Sequence, residues 1–190
     1  MQTWKTLSKD TSLDRGKFLR VEDHTVQLPD GRVIEKWPWI ITPDFINLLP
    51  VTAAGNFLVF RQLKYGLDGL TLAPVGGYIE PGEGPLAAAE RELMEETGHV
   101  ATELIPLGNF RVDPNRGAGT GYLYLALGTR KAGKITADDL EEQEIVYLDL
   151  EELKAALFAG EFKALSWTTT VSLALQHIAE AGVELGDGES

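Results

Sequence analysis

The order of hydrophobic and polar residues predicts mainly strands up to about residue 74, and both helices and strands after it. Residues 18–41 partly alternate apolar and polar side chains, and residues 29–32 (PDGR) are typical of a hairpin turn. Apolar runs on either side of a turn at residues 53–55 indicate buried strands. The strands predicted after residue 44 are 45–49, 56–63, 70–74, 103–112, 121–128 and 144–150.

Three helices are predicted in the remaining segments. The first follows a loop rich in glycine and proline at residues 76–85, because Pro85 suits a first helical turn and Gly98 suits a C-terminal stop. Residues 150–158 and 166–181 carry apolar residues at helical spacing. A second loop rich in turn-forming residues is predicted at 113–121 (DPNRGAGTG), and the tail, residues 183–190, is expected to be disordered.

Composition narrows the class of protein. The 190 residues suffice for one domain with a small appended element, and 29 acidic against 17 basic residues give a net charge of −12. This charge argues against a nucleic-acid partner, because few cations are present to replace the counterions of a phosphate backbone. The absence of cysteine excludes disulfides, thiolate metal sites and a cysteine nucleophile. Without a basic run or a long apolar segment, we expect no membrane contact and a cytoplasmic location.

The first predicted helix concentrates negative charge that would repel itself. Glutamates occupy five of the fourteen positions from 83 to 96, with Arg91 as the one cation among them. At about 100° per residue, Glu92, Glu95 and Glu96 fall within one arc of about 100°. Such an arc is either a solvated acidic face or a site for Mg²⁺ or Mn²⁺, since these hard cations prefer carboxylate oxygens.

The surrounding residues favour the metal site. Gly77 is followed after five residues by Glu83, and after seven more by Arg91-Glu92-Leu93-Met94-Glu95-Glu96-Thr97-Gly98. This segment resembles the Nudix box, GX5EX7REUXEEXGU, in which U is a bulky aliphatic residue. One position departs from the pattern, because His99 replaces the last aliphatic residue; we expect a partly exposed histidine at a helix end and not a ligand.

The resemblance to the Nudix hydrolase superfamily implies a fold and an activity. The fold is an α/β/α sandwich with a mixed sheet, to which an N-terminal antiparallel β segment is added. The implied organisation is an N-terminal β segment at 1–45 for dimerisation and substrate binding, a Nudix domain at 46–182 and the tail. The implied reaction is metal-dependent hydrolysis of a nucleoside diphosphate linked to another group, X.

The same resemblance assigns roles to the residues of the box. It implies that Glu92 and Glu96 are the principal ligands of Mg²⁺ or Mn²⁺, that Glu95 is a further ligand with a catalytic role, and that the Gly76 carbonyl completes the set. The residues with a structural or orienting role are Gly77, Glu83, Arg91 and Gly98.

A catalytic base is implied on a late loop, as in members similar to ADP-ribose pyrophosphatases. Residues 138–153 supply Glu142, Glu144 and Glu141, in that order of preference. A solvated acidic loop is the alternative reading of these three residues.

Two features resemble the branch that hydrolyses ADP-ribose and nucleotide sugars. Pro114 lies sixteen residues after Gly98, where that branch carries a proline, and residues 60–66 (FRQLKYG) resemble its cationic strand. Lys64, Arg61 and Arg111 are therefore candidate contacts for phosphate or ribose. Trp39 is a candidate for stacking on a base, with core packing as the alternative.

Other functions stay open at this point. The box is also compatible with a substrate that is a dinucleoside polyphosphate or a damaged nucleoside triphosphate. A non-catalytic module that senses a nucleotide is a third reading, although such proteins usually lose a box glutamate. The resemblance implies a small-molecule partner and a homodimer.

Overall fold

The computed structural model describes residues 1–136, 142–183 and 185–186, which form two compact units. One unit comprises Met1–Asp44 and Phe110–Gly121, and the other comprises Phe45–Asn109 and Tyr122–Ser190. The strands are β1 (Lys5–Asp14), β2 (Arg20–Gln27), β3 (Val33–Ile41), β4 (Phe45–Thr52), β5 (Phe57–Gln62), β6 (Thr71–Ala73), β7 (Val75–Tyr78), β8 (His99–Val100), β9 (Glu103–Asp113), β10 (Gly117–Lys131) and β11 (Gln143–Leu148). The helices are α1 (Pro85–Thr97), α2 (Leu150–Phe158) and α3 (Leu165–Ala181), and Gly16–Phe18 forms a 3₁₀ turn.

Three antiparallel strands form the body of the first unit. β1 pairs with β2, and β2 pairs with β3 across the predicted turn at residues 29–32, which confirms the hairpin. β10 adds a parallel pairing, in which Gly117 lies beside Ile40, so that strand directions are mixed. All ten residues of β1 are exposed, and register shifts mark Leu7 and Ser12 as bulged positions.

The structure differs from the prediction at residues 117–121. These residues were expected to be part of a loop, but they begin β10. The reason is close approach: a Cβ atom at Gly117 would lie 2.6 Å from the Ile40 carbonyl oxygen, and one at Gly119 would lie 2.7 Å from that of Pro43. Both glycines have positive φ, which glycine adopts without a steric penalty. Glycine therefore serves here to bring a strand onto its neighbour.

The second unit is the predicted α/β/α sandwich. Side chains of β5 alternate between two faces: Leu58 and Phe60 pack in a cluster with α1, whereas Phe57 and Val59 pack in a cluster with α2 and α3. β4 pairs antiparallel with β5 and with β7. We refer below to the α1 face and the α2/α3 face of this sheet.

The segment that precedes α1 is more ordered than its composition indicates. One strand was predicted at 70–74, but the chain forms β6 and then β7, and β7 includes glycines that were expected to lie in a loop. α1 begins at Pro85 and ends at Thr97, with Gly98 as the predicted C-terminal stop; Gly98 has φ +70° and its N–H donates to the Met94 carbonyl. Within the described ranges, no helix is long and apolar enough to cross a membrane.

Candidate active site

Arg91 contacts several of the carboxylates on α1 and just before it. Its guanidinium donates to both oxygens of Glu83 at 2.9 Å, and one nitrogen, Nη1, contacts Glu92 at 2.7 Å and Glu95 at 3.1 Å. Nη2 also donates to the carbonyl oxygen of Tyr78 at 3.1 Å. The contact with Glu95 is the i,i+4 pair that helical spacing predicts.

The environments of these carboxylates drive their pKa values apart. Hydrogen bonds from Arg91, and then from the backbone N–H of Glu80, lower the pKa of Glu83 to about 2. Glu92 is 9 % exposed, and burial raises its pKa despite the contact with Arg91. The pKa of Arg91 is raised, chiefly by its hydrogen bonds to Glu83, so that it stays cationic. Burial therefore makes the charged form of the Glu92 carboxylate less favourable than that of an exposed glutamate.

Two consecutive glycines bring the backbone of β7 close to α1. The N–H of Gly76 donates to the Glu96 carboxylate at 3.2 Å, so it points away from β4. In an antiparallel strand the C=O of a residue points to the same side as its N–H, which puts the Gly76 carbonyl on the side of Glu96. At Gly77, any Cβ would overlap the carboxylate of Glu92. The geometry requires a glycine at this position.

The donor set suits a hard divalent cation. The set comprises four carboxylates: those of Glu83, Glu92 and Glu95 contact one guanidinium, and that of Glu96 accepts from the Gly76 N–H. The backbone oxygen of Gly76 lies on the side of Glu96. In the described part of the chain, no three acidic or histidine side chains form a complete metal cluster as they stand. Three of the four carboxylates contact Arg91, and Glu92 does so through its Oε1 atom.

Two of the three glutamates considered as a base, Glu144 and Glu142, are among the described residues. Glu144 is opposite Arg61 in the β5–β11 ladder, and the two side chains form an exposed ion pair at 3.6 Å. Side chains two residues apart in a strand lie on the same face of the sheet. Arg61 and Glu144 therefore lie on the α2/α3 face, because Val59 and Val146, two residues away in the same strands, pack there. Glu142 is exposed just before β11, and Glu141 lies outside the described residues.

The candidate substrate residues are distributed over both units. Lys64 is half-buried just after β5, and Arg111 is exposed on β9. Trp39 and Pro114 line a cavity of about 410 Å³ within the first unit. The other lining residues are Trp4, Thr6, Lys9, His24, Val26, Trp37 and Asn115.

Aromatic rings form much of this cavity, and sequence reasoning identified only part of it. Trp39 stacks on His24 with ring centres 5.5 Å apart, and Trp4 meets Trp37 edge to face at 5.3 Å. Trp4 and His24 were not predicted, because each is distant in sequence from Trp39. The pairing of His24 with Trp37 across β2 and β3 depends on the hairpin register, and that register was the available signal.

One box residue departs from its predicted environment. His99 was expected to be partly exposed, but it is buried in β8, and its Nδ1 lies 2.8 Å from the carbonyl oxygen of Thr97. A polar residue can occupy this buried packing position because a local hydrogen bond satisfies Nδ1 of the ring.

This chain is similar to a known protein family and to several known proteins. The NUDIX domain family matches residues 42–168. A methanol dehydrogenase activator of Bacillus methanolicus is 27% identical over 176 residues, which cover 91% of this chain and 92% of that protein. An ADP-ribose pyrophosphatase of Bacillus subtilis (strain 168) is 30% identical over 122 residues, 64% of this chain and 65% of that protein.

A solved structure shows the same fold. The crystal structure of an ADP compounds hydrolase superposes with a TM-score of 0.81 at 20% identity, covering 96% of this chain and 97% of the other. The family match extends over more than half of the 190 residues and includes all of β7 and α1. This chain therefore belongs to the NUDIX domain family, as an enzyme of the Nudix pyrophosphohydrolase class.

Proposed function

We propose that the protein hydrolyses the pyrophosphate bond of a nucleoside diphosphate linked to X, with ADP-ribose or a related nucleotide sugar as substrate and Mg²⁺ or Mn²⁺ as cofactor. The products are a nucleoside monophosphate and a sugar phosphate. The observation that carries this proposal is the acidic side of α1, where carboxylates outnumber cations and the glycine backbone of β7 lies alongside. A pyrophosphate is itself anionic, so this side needs divalent cations before it can accept one.

The ligands that we propose are Glu92, Glu96 and Glu95, together with the Gly76 carbonyl. Mg²⁺ or Mn²⁺ held by these ligands would neutralise phosphate charge and would make a water at the site more acidic. Glu92 is suited to this role because burial leaves its charge poorly compensated. Arg91 and Glu83 orient the cluster, since their bidentate contact ties α1 to the loop before it.

In the reaction, a water oxygen bonds to one phosphorus while the bridging P–O bond breaks. The bridging oxygen leaves with the other phosphate, and the proton of the water passes to a base. We propose Glu142 as this base in preference to Glu144, because Glu144 lies on the α2/α3 face and pairs with Arg61. If Glu142→Gln and Glu144→Gln both keep a kcat near that of wild type, the base is elsewhere.

The substrate class rests on the relative from Bacillus subtilis, whose name is ADP-ribose pyrophosphatase, and on the aromatic cavity. We propose that Trp39 stacks on the base, next to Pro114 in the cavity wall. Planar rings at this spacing favour another planar ring. Lys64, Arg61 and Arg111 remain candidate contacts for phosphate or ribose.

A substrate panel tests the proposal. Purified protein with Mg²⁺ is given ADP-ribose, GDP-mannose, UDP-glucose, NADH, diadenosine polyphosphates and dGTP, with Glu96→Gln as the control. Release of AMP from ADP-ribose that disappears in Glu96→Gln is the expected result. Turnover of only diadenosine polyphosphates or dGTP would replace the substrate class. If no compound is turned over but one raises the melting temperature, the protein is a nucleotide sensor.

We also propose a homodimer, with residues 1–45 contributing to the interface. β1 is an edge strand with every side chain exposed, including the apolar Leu7 and Leu13. Long exposed edge strands are templates for pairing with another chain. A monomer in light scattering at micromolar concentration would contradict this proposal.

A further inference from the structure

Asn47 is a polar residue in an otherwise apolar stretch of β4. Asn47 is 5 % exposed, and the nearby residues Ile46, Leu48 and Leu49 are fully buried. The side-chain oxygen Oδ1 has no hydrogen-bond partner in the described part of the protein. A buried acceptor without a partner costs about 1–3 kcal/mol. Packing alone does not account for an amide here, because an apolar side chain would avoid this cost.

The strand register puts this amide directly against Gly76. Asn47 is paired with Gly76 in the β4–β7 ladder, and the Gly76 N–H points away from β4 toward Glu96. The two residues therefore form a non-hydrogen-bonded pair, the type in which facing residues approach most closely, with Cα atoms about 4.5 Å apart. A Cβ atom at Gly76 would overlap Nδ2 of Asn47. The amide occupies the space that a side chain at position 76 would need.

The peptide between the two glycines is thus enclosed from both sides. Asn47 lies against Gly76 on the α2/α3 face, because Ile46 and Leu48 on either side of it pack on the α1 face. Glu92 lies against Gly77 on the α1 face. This peptide contains the Gly76 carbonyl, which is on the side of Glu96. Its orientation depends on both contacts.

We propose that Asn47 is a positioning residue for the metal site: its amide braces Gly76 from behind and holds the Gly76 carbonyl toward Glu96. This inference rests on the proposed function, because the carbonyl matters only if it binds a metal. It assigns a role to a residue on the far face of the sheet from α1. Leaving Oδ1 without a partner is then the energetic cost of the contact with Gly76. This contact also needs the small, planar shape of an amide.

Direct measurement of Mn²⁺ binding tests the brace apart from turnover. Asn47→Ala removes the contact, and Thr129→Ala is the matched control, because Thr129 is the other buried side chain with an unpartnered polar atom among the described residues. Electron paramagnetic resonance gives the affinity for Mn²⁺, and ADP-ribose turnover gives kcat and KM. We expect about 10-fold weaker Mn²⁺ binding and about 10-fold lower kcat in Asn47→Ala, with KM little changed. Thr129→Ala is expected to stay within about 2-fold of wild type.

A double-mutant cycle with Gly76→Ala tests the contact itself. Gly76→Ala alone puts its methyl group against the amide, whereas Asn47→Ala in the same chain opens that space. The double variant should bind Mn²⁺ more tightly than Gly76→Ala alone, with rescue limited by the Ile46 carbonyl oxygen 2.8 Å from the new Cβ. If Asn47→Ala fails to fold, Asn47→Ser is measured in its place.

The outcomes separate the two levels of the proposal. Wild-type protein that neither binds Mn²⁺ nor hydrolyses any nucleotide refutes the proposed function, and the positioning role falls with it. Wild-type protein that does both, while Asn47→Ala matches it in Mn²⁺ affinity and kcat and differs only in melting temperature, overturns the positioning role alone. Additive effects of Asn47→Ala and Gly76→Ala on Mn²⁺ affinity would also overturn the positioning role.

Discussion

Replacing Glu83 by glutamine should destabilise the protein in a way that depends on pH. The Glu83 carboxylate accepts two hydrogen bonds from Arg91 and one from the backbone N–H of Glu80. Its pKa of about 2, against an ordinary value of 4.5, corresponds to about 3 kcal/mol at neutral pH. Arg91 keeps Glu92 and Glu95 in the variant, and glutamine still accepts from Glu80. We therefore expect a loss of about 2 kcal/mol in Glu83→Gln.

The sign of the pH dependence follows from the lowered pKa. Stabilisation by the Glu83 carboxylate is fully present above about pH 4.5 and is lost as the pH falls toward 2. At pH 3, less than half of it remains. The difference between wild type and Glu83→Gln should shrink accordingly.

Urea unfolding with EDTA present, at pH 7 and at pH 3, measures this difference without metal. Glu90→Gln is the matched control, because Glu90 is an exposed glutamate on the same helix and should cost less than about 0.5 kcal/mol. A difference below about 0.5 kcal/mol for Glu83→Gln at pH 7, or the same difference at both pH values, would refute the reasoning.

Three further variants test other contacts. Gly77→Ala should lower kcat/KM by about 100-fold or more, because its Cβ would displace the Glu92 carboxylate; Gly84→Ala, with no atom within 4 Å of its added Cβ, should stay within about 2-fold. Glu92→Gln should abolish hydrolysis yet raise the unfolding midpoint of metal-free protein at pH 7, because the raised pKa makes ionised Glu92 destabilising; a lowered midpoint would contradict this. Trp39→Leu should raise KM for ADP-ribose about 10-fold with kcat little changed, and an unchanged KM would exclude stacking.

The part of the site that lies close together in sequence was predictable. α1 with its two ends, and the contact of Arg91 with Glu95, follow from helical spacing and end signals. The contact of Arg91 with Glu83 spans eight residues and depends on the path of the loop, which periodicity does not describe. Helical geometry also gives no sign that Glu92 would be more buried than Glu95.

What the sequence did not indicate depends on contacts between distant segments. Residues 117–121 form a strand because Gly117 and Gly119 leave room for the backbone at Ile40 and Pro43, and no local sequence pattern indicates that neighbour. Asn47 and Gly76 are paired by a register that β4 and β7 set together. Glu144 is assigned to the α2/α3 face by the alternation of side chains once β11 is aligned with β5. Without that alignment, the sequence does not indicate which face of the sheet Glu144 occupies.

β1 carries a two-fold pattern of its own. About the midpoint between Lys9 and Asp10, Lys5 mirrors Asp14, and the bulged positions Leu7 and Ser12 mirror each other. Antiparallel pairing of this edge with the same edge of a second copy would set every one of these lysines opposite an aspartate. The charges of β1 are therefore complementary to those of a second, antiparallel copy of β1. Reversing the charge at Lys9 should weaken self-association, as measured by sedimentation.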